Sequence, residues 1–377
     1  MKNKPKIVDL FCGCGGFGLG AELAGFHTVA AIDVDETLQS AYKKNFPNTK
    51  VVNADLSKIG RREWSEILEG TKIDGVIGGP PCQGYSRLGV SDPKDPRRQL
   101  LVDFYRHINL LNPSFFVMEN VEGLMDKRNI DELNNALATL NKKYTVLKPV
   151  IIDASEWGAA TKRKRVVVIG FDHKRFSPLS LSDLLPPLET MTVAEAITDI
   201  REPIKQKKDS ADFGWASYRK SKNLSQYAIK MRSLPPKGLG SKDAINYLKE
   251  GKISGHFDTV HTDTVKQRYV QLEQGKTDPV SRAKKLQWGG LCPTLRAGTG
   301  SDKGSHQAVR PIHPESGRVI TVREAARLQG FPDWFCFHQT KWHSFRMIGN
   351  SVSPVVSEGI LERIYSRLMS NNIRLIT

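Results

Sequence analysis

Over residues 1–170, short apolar runs alternate with stretches whose apolar residues recur every three or four positions. Ile7 to Phe11, Thr28 to Ile32, Val51 to Asp55, Ile73 to Ile77, Ser114 to Met118, Val146 to Ile152 and Arg165 to Ile169 read as strands. Each is short, rich in β-branched or aromatic residues, and bounded by Gly, Pro or polar positions. Leu19 to Ala24 opens a helix, and Leu100, Leu101, Phe104, Ile108 and Leu111 fall on one helical stripe closed by Pro113. Strands and helices in alternation predict an α/β fold with a doubly wound, mostly parallel sheet. From Ile169 to Val319 the pattern breaks. Pro, Gly, Ser and Lys dominate there, which predicts a second, smaller domain rich in loops and short strands.

Regularity returns near the end. Thr321-Val322-Arg323-Glu324 is a capping box opening a helix that Gly330 and Pro332 stop. Ser353-Pro354 places an N-cap before a proline at the first helical position, and Val355, Val356, Ile360, Ile364 and Leu368 line one face of the final helix. Such a face needs an apolar surface to bury against. The expected division is 1–175, 176–315 and 316–377, with the last part returning to the first.

The chain of 377 residues carries a formal charge of +16. Residues 201–310 hold 22 Lys and Arg against 10 Asp and Glu, three quarters of that excess. A basic charge concentrated in one region points to a polyanion, and nucleic acid is the natural one. The five cysteines, at 12, 14, 82, 292 and 336, are scattered, with no second close pair to complete a metal site. Neither a metal nor a disulfide framework is expected. No apolar run approaches the roughly 20 residues of a membrane span, and Met1-Lys2-Asn3-Lys4-Pro5 enters a strand without an export signal. A cytoplasmic protein without a membrane partner is the expectation.

The candidate chemistry gathers at strand ends. Gly13, Gly15 and Gly18 follow the first strand in a G-x-G-x-x-G spacing, and Asp33 ends the second at the distance where an acid meets a ribose hydroxyl. Asp55 ends the third. These features suggest an adenosine-containing cofactor without saying which, so a nicotinamide oxidoreductase stays open at this point. Gly78-Gly79-Pro80-Pro81-Cys82-Gln83-Gly84-Tyr85-Ser86 carries a cysteine on a stiff loop after an apolar strand. A thiol there is a candidate nucleophile if its surroundings favour the thiolate. Glu119 stands just beyond a neighbouring strand. Arg163 and Arg165, two apart, project to one face, with Lys162 and Lys164 on the other.

Taken together, these motifs resemble the DNA (cytosine-5) methyltransferases of bacterial restriction-modification systems. Gly78 to Ser86 is similar to their catalytic loop, Glu119-Asn120-Val121 to their Glu-Asn-Val motif, and Asp9-Leu10-Phe11 with the glycines to Gly16 to their S-adenosylmethionine loop. Arg323 to Pro332 resembles the helix that follows their target-recognition domain, and Gly349 to Pro354 their last motif. The resemblance spans nearly the whole chain, in the family's order. It departs at Thr161, where the family has Gln before the two arginines, at Ala160, where Pro is usual, and at Asp33, where Glu is commoner. The resemblance implies a Rossmann-like S-adenosylmethionine-dependent catalytic domain with a target-recognition domain. Cys82, Glu119, Arg163 and Arg165 are then the catalytic residues. Phe11, Gly13, Gly16, Asp33, Val34, Asp55, Leu56, Pro80, Leu100 and Asn350 are the cofactor contacts, and Gln83, Ser86 and Arg296 touch DNA. Gln83 to Gln99 is expected to close over an extruded base. The implied partner is double-stranded DNA, bound by a monomer that pairs in function, without a stable complex, with a restriction endonuclease. A tRNA cytosine-5 methyltransferase, which shares the catalytic motifs, is the alternative.

Overall fold

The apolar runs of the first half assemble into one sheet. The computed structural model describes residues 4–81, 98–188, 190–206, 213–219, 223–297 and 309–374. Strands β1 (Lys6–Leu10), β2 (His27–Asp33), β3 (Lys50–Asn53), β4 (Gly75–Gly78), β5 (Phe115–Val121), β6 (Tyr144–Val146), β7 (Val150–Asp153) and β8 (Lys164–Asp172) lie in the order 3-2-1-4-5-8-6, with β7 also paired to β8. The first five are parallel. β8 runs antiparallel to β5, and β6 and β7 run antiparallel to β8. The run from Val146 to Ile152, expected as one strand, is two. Pro149 lies in the gap and has no N–H for the ladder. β5 runs further than its apolar residues suggest, through Glu119, Asn120 and Val121, because β8 pairs with it along that whole length.

Helices α1 (Gly16–Leu23), α2 (Glu36–Asn45), α3 (Arg61–Leu68), α4 (Gln99–Leu111) and α5 (Ile130–Ala138) connect these strands. Alternation along each strand gives the sheet two apolar faces. Val8, Leu10, Val76, Phe116 and Val168 pack on one face with residues of α3, α4 and α5, such as Trp64, Phe104 and Leu133. Ile7, Ile77, Phe115 and Val167 share the other with α1 and with the end of the chain.

Residues 176–315 are loop-rich as expected, but their regular elements correct the expectation of strands. Among the described residues they are four short α-helices, α6 (Val193–Ile197), α7 (Gln226–Arg232), α8 (Lys242–Lys249) and α9 (Asp263–Gln271), beside a two-residue pairing of β9 (Ala216–Ser217) with β10 (Lys252–Ile253). Helices of five to nine residues are too short to display a period. Each nevertheless starts at a hydroxyl N-cap, Thr192, Ser225, Ser241 or Thr262. Val193, Ile197, Tyr227 and Leu248 join the core on the α1 side of the sheet, whereas Tyr269, Ala283, Ile312 and Val319 form a small cluster apart.

Three helices close the chain: α10 (Val322–Gln329), α11 (Lys341–Asn350) and α12 (Pro354–Arg374). α10 has the expected caps. Glu324 N donates to Thr321 Oγ1 at 3.2 Å, Thr321 N donates to Glu324 Oε2 at 2.7 Å, and Gly330 ends the helix in the left-handed conformation. Every residue of α10 is buried. Arg327 bridges Asp333 (2.6 Å) and Asp199 (3.1 Å), tying this helix to the segment after α6. α12 lies along α1. No described helix is long and apolar enough to cross a membrane.

Candidate active site

The sheet order reverses between β1 and β4, and open α/β sheets place ligands outside the carboxyl ends of strands at such a point. A cavity of ≈ 350 Å³ lies there, within the usual range of roughly 300–1,000 Å³ for ligand sites. The turn after β1 forms one wall. It is pressed against the chain end: a Cβ on Gly16 would stand 2.4 Å from the Val352 carbonyl, so only glycine permits this approach. Asp33, at the end of β2, accepts from Gly13 N (2.8 Å) and Asp35 N (2.9 Å), while burial raises its pKa. Asp55, after β3, accepts from the Ser57 hydroxyl (2.7 Å) and amide (3.0 Å), and these bonds lower its pKa. A third carboxyl was not singled out from sequence. Asp9, buried in β1, is pushed up to about 8 by burial. Its Oδ2 takes the Tyr42 hydroxyl at 3.2 Å, whereas its buried Oδ1 has no hydrogen-bond partner.

The opposite wall follows from strand register. Arg165 on β8 pairs with Val121 on β5, so its side chain shares a face with Glu119, two residues back. Arg165 Nε stands 2.9 Å from Glu119 Oε1. That oxygen nonetheless accepts no aligned hydrogen bond. The carboxylate is positioned by charge and stays open to another donor. Asn120, on the other face, donates to the Pro80 carbonyl at 3.1 Å and anchors the Pro-Pro turn to β5. Gly79 and Pro81 then line the cavity.

Arg163 has a different setting. It is buried, and its guanidinium donates to the carbonyls of Leu295 (3.3 Å), Gly349 (3.0 Å) and Ser351 (2.8 Å). It therefore clasps the 295 segment to the end of α11. Thr161 serves the same junction. Its buried hydroxyl donates to the Cys292 carbonyl at 3.2 Å, and Cys292 N and Lys162 N complete a bridge between the two segments. The exposed Lys162 and Lys164 alternate with Arg163 and Arg165 as the spacing predicts.

Of the ten cofactor candidates, Phe11, Gly13, Gly16, Asp33, Val34, Asp55, Leu56, Leu100 and Asn350 line the cavity; Pro80 does not, although both its neighbours do. Glu119, Arg163 and Arg165 line it as well. Cys82, Gln83 and Ser86, with most of the expected closing loop, lie outside the described residues. Arg296 is exposed and absent from this cavity. Sequence reasoning quoted Asp9 only within the loop motif, without a role, and from α11 named Asn350 but not Arg346, which pairs with Asp35 at 2.5 Å, or Met347, which lines the cavity. Cys12, Cys14, Cys292 and Cys336 are buried and free. Among the described residues no cluster of three His, Cys, Asp or Glu could hold a metal.

Comparison with known proteins agrees in extent and kind. The model of the C-5 cytosine-specific DNA methylase family matches residues 5–366. The type II methyltransferase M.XorII of Xanthomonas oryzae pv. oryzae is 38% identical over 97% of this chain and 86% of its own length. M.DdeI of Desulfomicrobium norvegicum is 30% identical over 95% and 88%. A DNA modification methyltransferase encoded within an E. coli prophage superposes with a TM-score of 0.87 at 38% identity, covering 97% of this chain and 99% of that one. The S. pombe Dnmt2 methyltransferase, at 17% identity and a TM-score of 0.60, shares the fold. The chain belongs to the C-5 cytosine-specific DNA methylases.

Proposed function

We propose that this methyltransferase flips a cytosine out of double-stranded DNA and methylates its carbon 5 through a covalent adduct at Cys82. The observation that carries the reading is the convergence on one cavity of Glu119, Arg165, the three carboxyl-bearing strands and the Pro80-Pro81 turn that leads to Cys82. Cys82 Sγ bonds to carbon 6 of the ring while Glu119 supplies the proton or hydrogen bond at nitrogen 3. The resulting enamine is nucleophilic at carbon 5. Once carbon 5 carries the methyl group, loss of its proton and elimination of the Cys82 thiolate restore the aromatic ring. Arg165 holds the Glu119 carboxylate, and Arg163 holds the walls together.

The described residues fit S-adenosylmethionine. Asp9 presents an unpartnered buried oxygen for a cation, Asp33 a ribose-side acceptor and Asp55 an acceptor for an amino group, with Phe11, Leu56 and Leu100 as apolar walls. When bound, it supplies an electrophilic methyl group.

Residues 176–315 serve as the target-recognition part; the stretch 201–310 within them carries three quarters of the basic excess, and phosphate contacts there offset the few kcal/mol that base extrusion costs. Arg296, exposed at the edge of the 295 segment, reads a base. The two named relatives are type II methyltransferases, which supports host-DNA protection beside a restriction endonuclease over a tRNA substrate. Unmethylated genomic DNA incubated with protein and S-adenosylmethionine, then sequenced after bisulfite conversion, tests the reading. Protected cytosines in one short recurring sequence are expected. Methylation of tRNA alone would overturn it.

A further inference from the structure

Arg310 lies on an aromatic surface, and no carboxylate among the described residues pairs with it. Its guanidinium is 4.1 Å from the Phe345 ring centroid, and the residue is half-buried. Among the described residues, none of its donors meets a carboxylate or another acceptor. Arg296 lines the same wall, and Lys341 lies close enough to Arg310 for the two charges to act on each other, with the Asp258 carboxylate drawing the Lys341 pKa the other way. Lys341, at the start of α11, donates to the Asp258 carbonyl at 2.6 Å, and its pKa is drawn down by burial and then by Arg310. Leu295, Arg296 and Trp342 complete the surrounding wall.

The location follows from helix geometry. Trp342, Phe345 and Gly349 share one face of α11. A Cβ on Gly349 would stand 2.2 Å from the Ala297 amide, so the 295 segment is laid directly on that helix. One turn along, Arg346 and Asn350 line the cofactor cavity. The patch is thus on the rim of the catalytic cleft.

A partly desolvated arginine beside another cation costs free energy in the isolated protein. The ring contact offsets only part of that cost. An incoming anion would relieve both the burial and the repulsion. The space between these walls is ≈ 20 Å³, room for about one water-sized group. A space of that size takes a single oxygen of a phosphate.

We propose that Arg310, seated on Phe345 and backed by Lys341, binds a backbone phosphate of the DNA at the rim of the cleft. The inference rests on the proposed function and names one contact in it. DNA affinity measured by anisotropy across a salt series tests it, with wild type, Arg310→Gln, Arg310→Lys and Lys341→Gln compared on cognate and unrelated duplexes. Arg310→Gln should weaken both duplexes alike and lower the log–log salt slope by about one unit. Arg310→Lys should restore most of the slope. Cofactor affinity and melting temperature should not fall, since an unpaired cation has been removed. If Arg310→Gln melts without cooperativity, Lys341→Gln gives the same reading through the other charge. A wild type that methylates DNA while the neutral variants keep its slope overturns this site alone. A loss confined to one base pair makes Arg310 a base reader and overturns the phosphate assignment. A wild type that neither binds nor methylates DNA removes the function and this contact with it.

Discussion

Glu119 has the clearest division between position and chemistry. Its place is set by β-register and by Arg165, 2.9 Å away. Its proposed task is a proton at ring nitrogen 3. Glu119→Gln keeps the shape and removes the acid, so methyl transfer should fall about 10²–10⁴-fold while calorimetry finds unchanged cofactor affinity. Equal loss of cofactor binding would make Glu119 a wall of the cavity and no more. Asp33 and Asp55 line the cavity proposed for the cofactor. Each change to Ala should weaken S-adenosylmethionine by about 1–3 kcal/mol, with DNA affinity measured without cofactor unaltered. Arg163 shows what residue types alone leave hidden. The sequence paired it with Arg165 by spacing, yet its guanidinium meets three backbone carbonyls from two distant segments. Nothing local in the chain announces such partners.

At the level of elements, caps carried further than periodicity. Thr321 and Glu324 predict α10 to the residue because the capping box is a local bond pattern. Thr321→Ala should lower stability by about 1 kcal/mol, read in a denaturant melt. α10 also carries a pH dependence. Burial opposes ionisation of Glu324, but Arg318, at 2.8 Å, prevails and holds it down at about 2. A depressed carboxyl stabilises the fold above its unfolded value of 4.5 and loses that contribution as pH falls towards about 2. Glu324→Gln should flatten the stability profile through that window and leave it unchanged in shape near pH 7. The parallel strands of the first half were legible because each is a short apolar, β-branched or aromatic run bounded within a few residues by Gly, Pro or a polar position. The four short helices and α11 were not, since five to ten residues give two or three turns at most and their apolar faces are set by distant partners. The extension of β5 through Glu119 likewise depends on β8, more than forty residues later.

Across the whole molecule, the cavity lies at the reversal point of the sheet, outside the carboxyl ends of its strands. The carboxyls of the cavity come from β1, β2 and the turn after β3; Glu119 comes from β5 and its partner cation Arg165 from β8. The apolar face of the last helix already implied that the end of the chain returns to the first part. The return of α12 to α1 closes the cavity with Ser351 and Val352, some 340 residues from Phe11. The recognised DNA sequence is the part least legible in the chain, since base readout depends on loop shape and not on motif. The central claim is that Cys82 bonds to the target ring. A duplex bearing 5-fluorocytosine at the methylated position, incubated with S-adenosylmethionine and examined by intact mass, tests this most directly. Fluorine at carbon 5 cannot leave as the proton does, so wild type should accumulate a one-to-one covalent complex carrying a transferred methyl group. Cys82→Ser should bind the duplex and form none. An adduct with the serine variant, or its absence from a wild type that methylates ordinary DNA, would contradict the account.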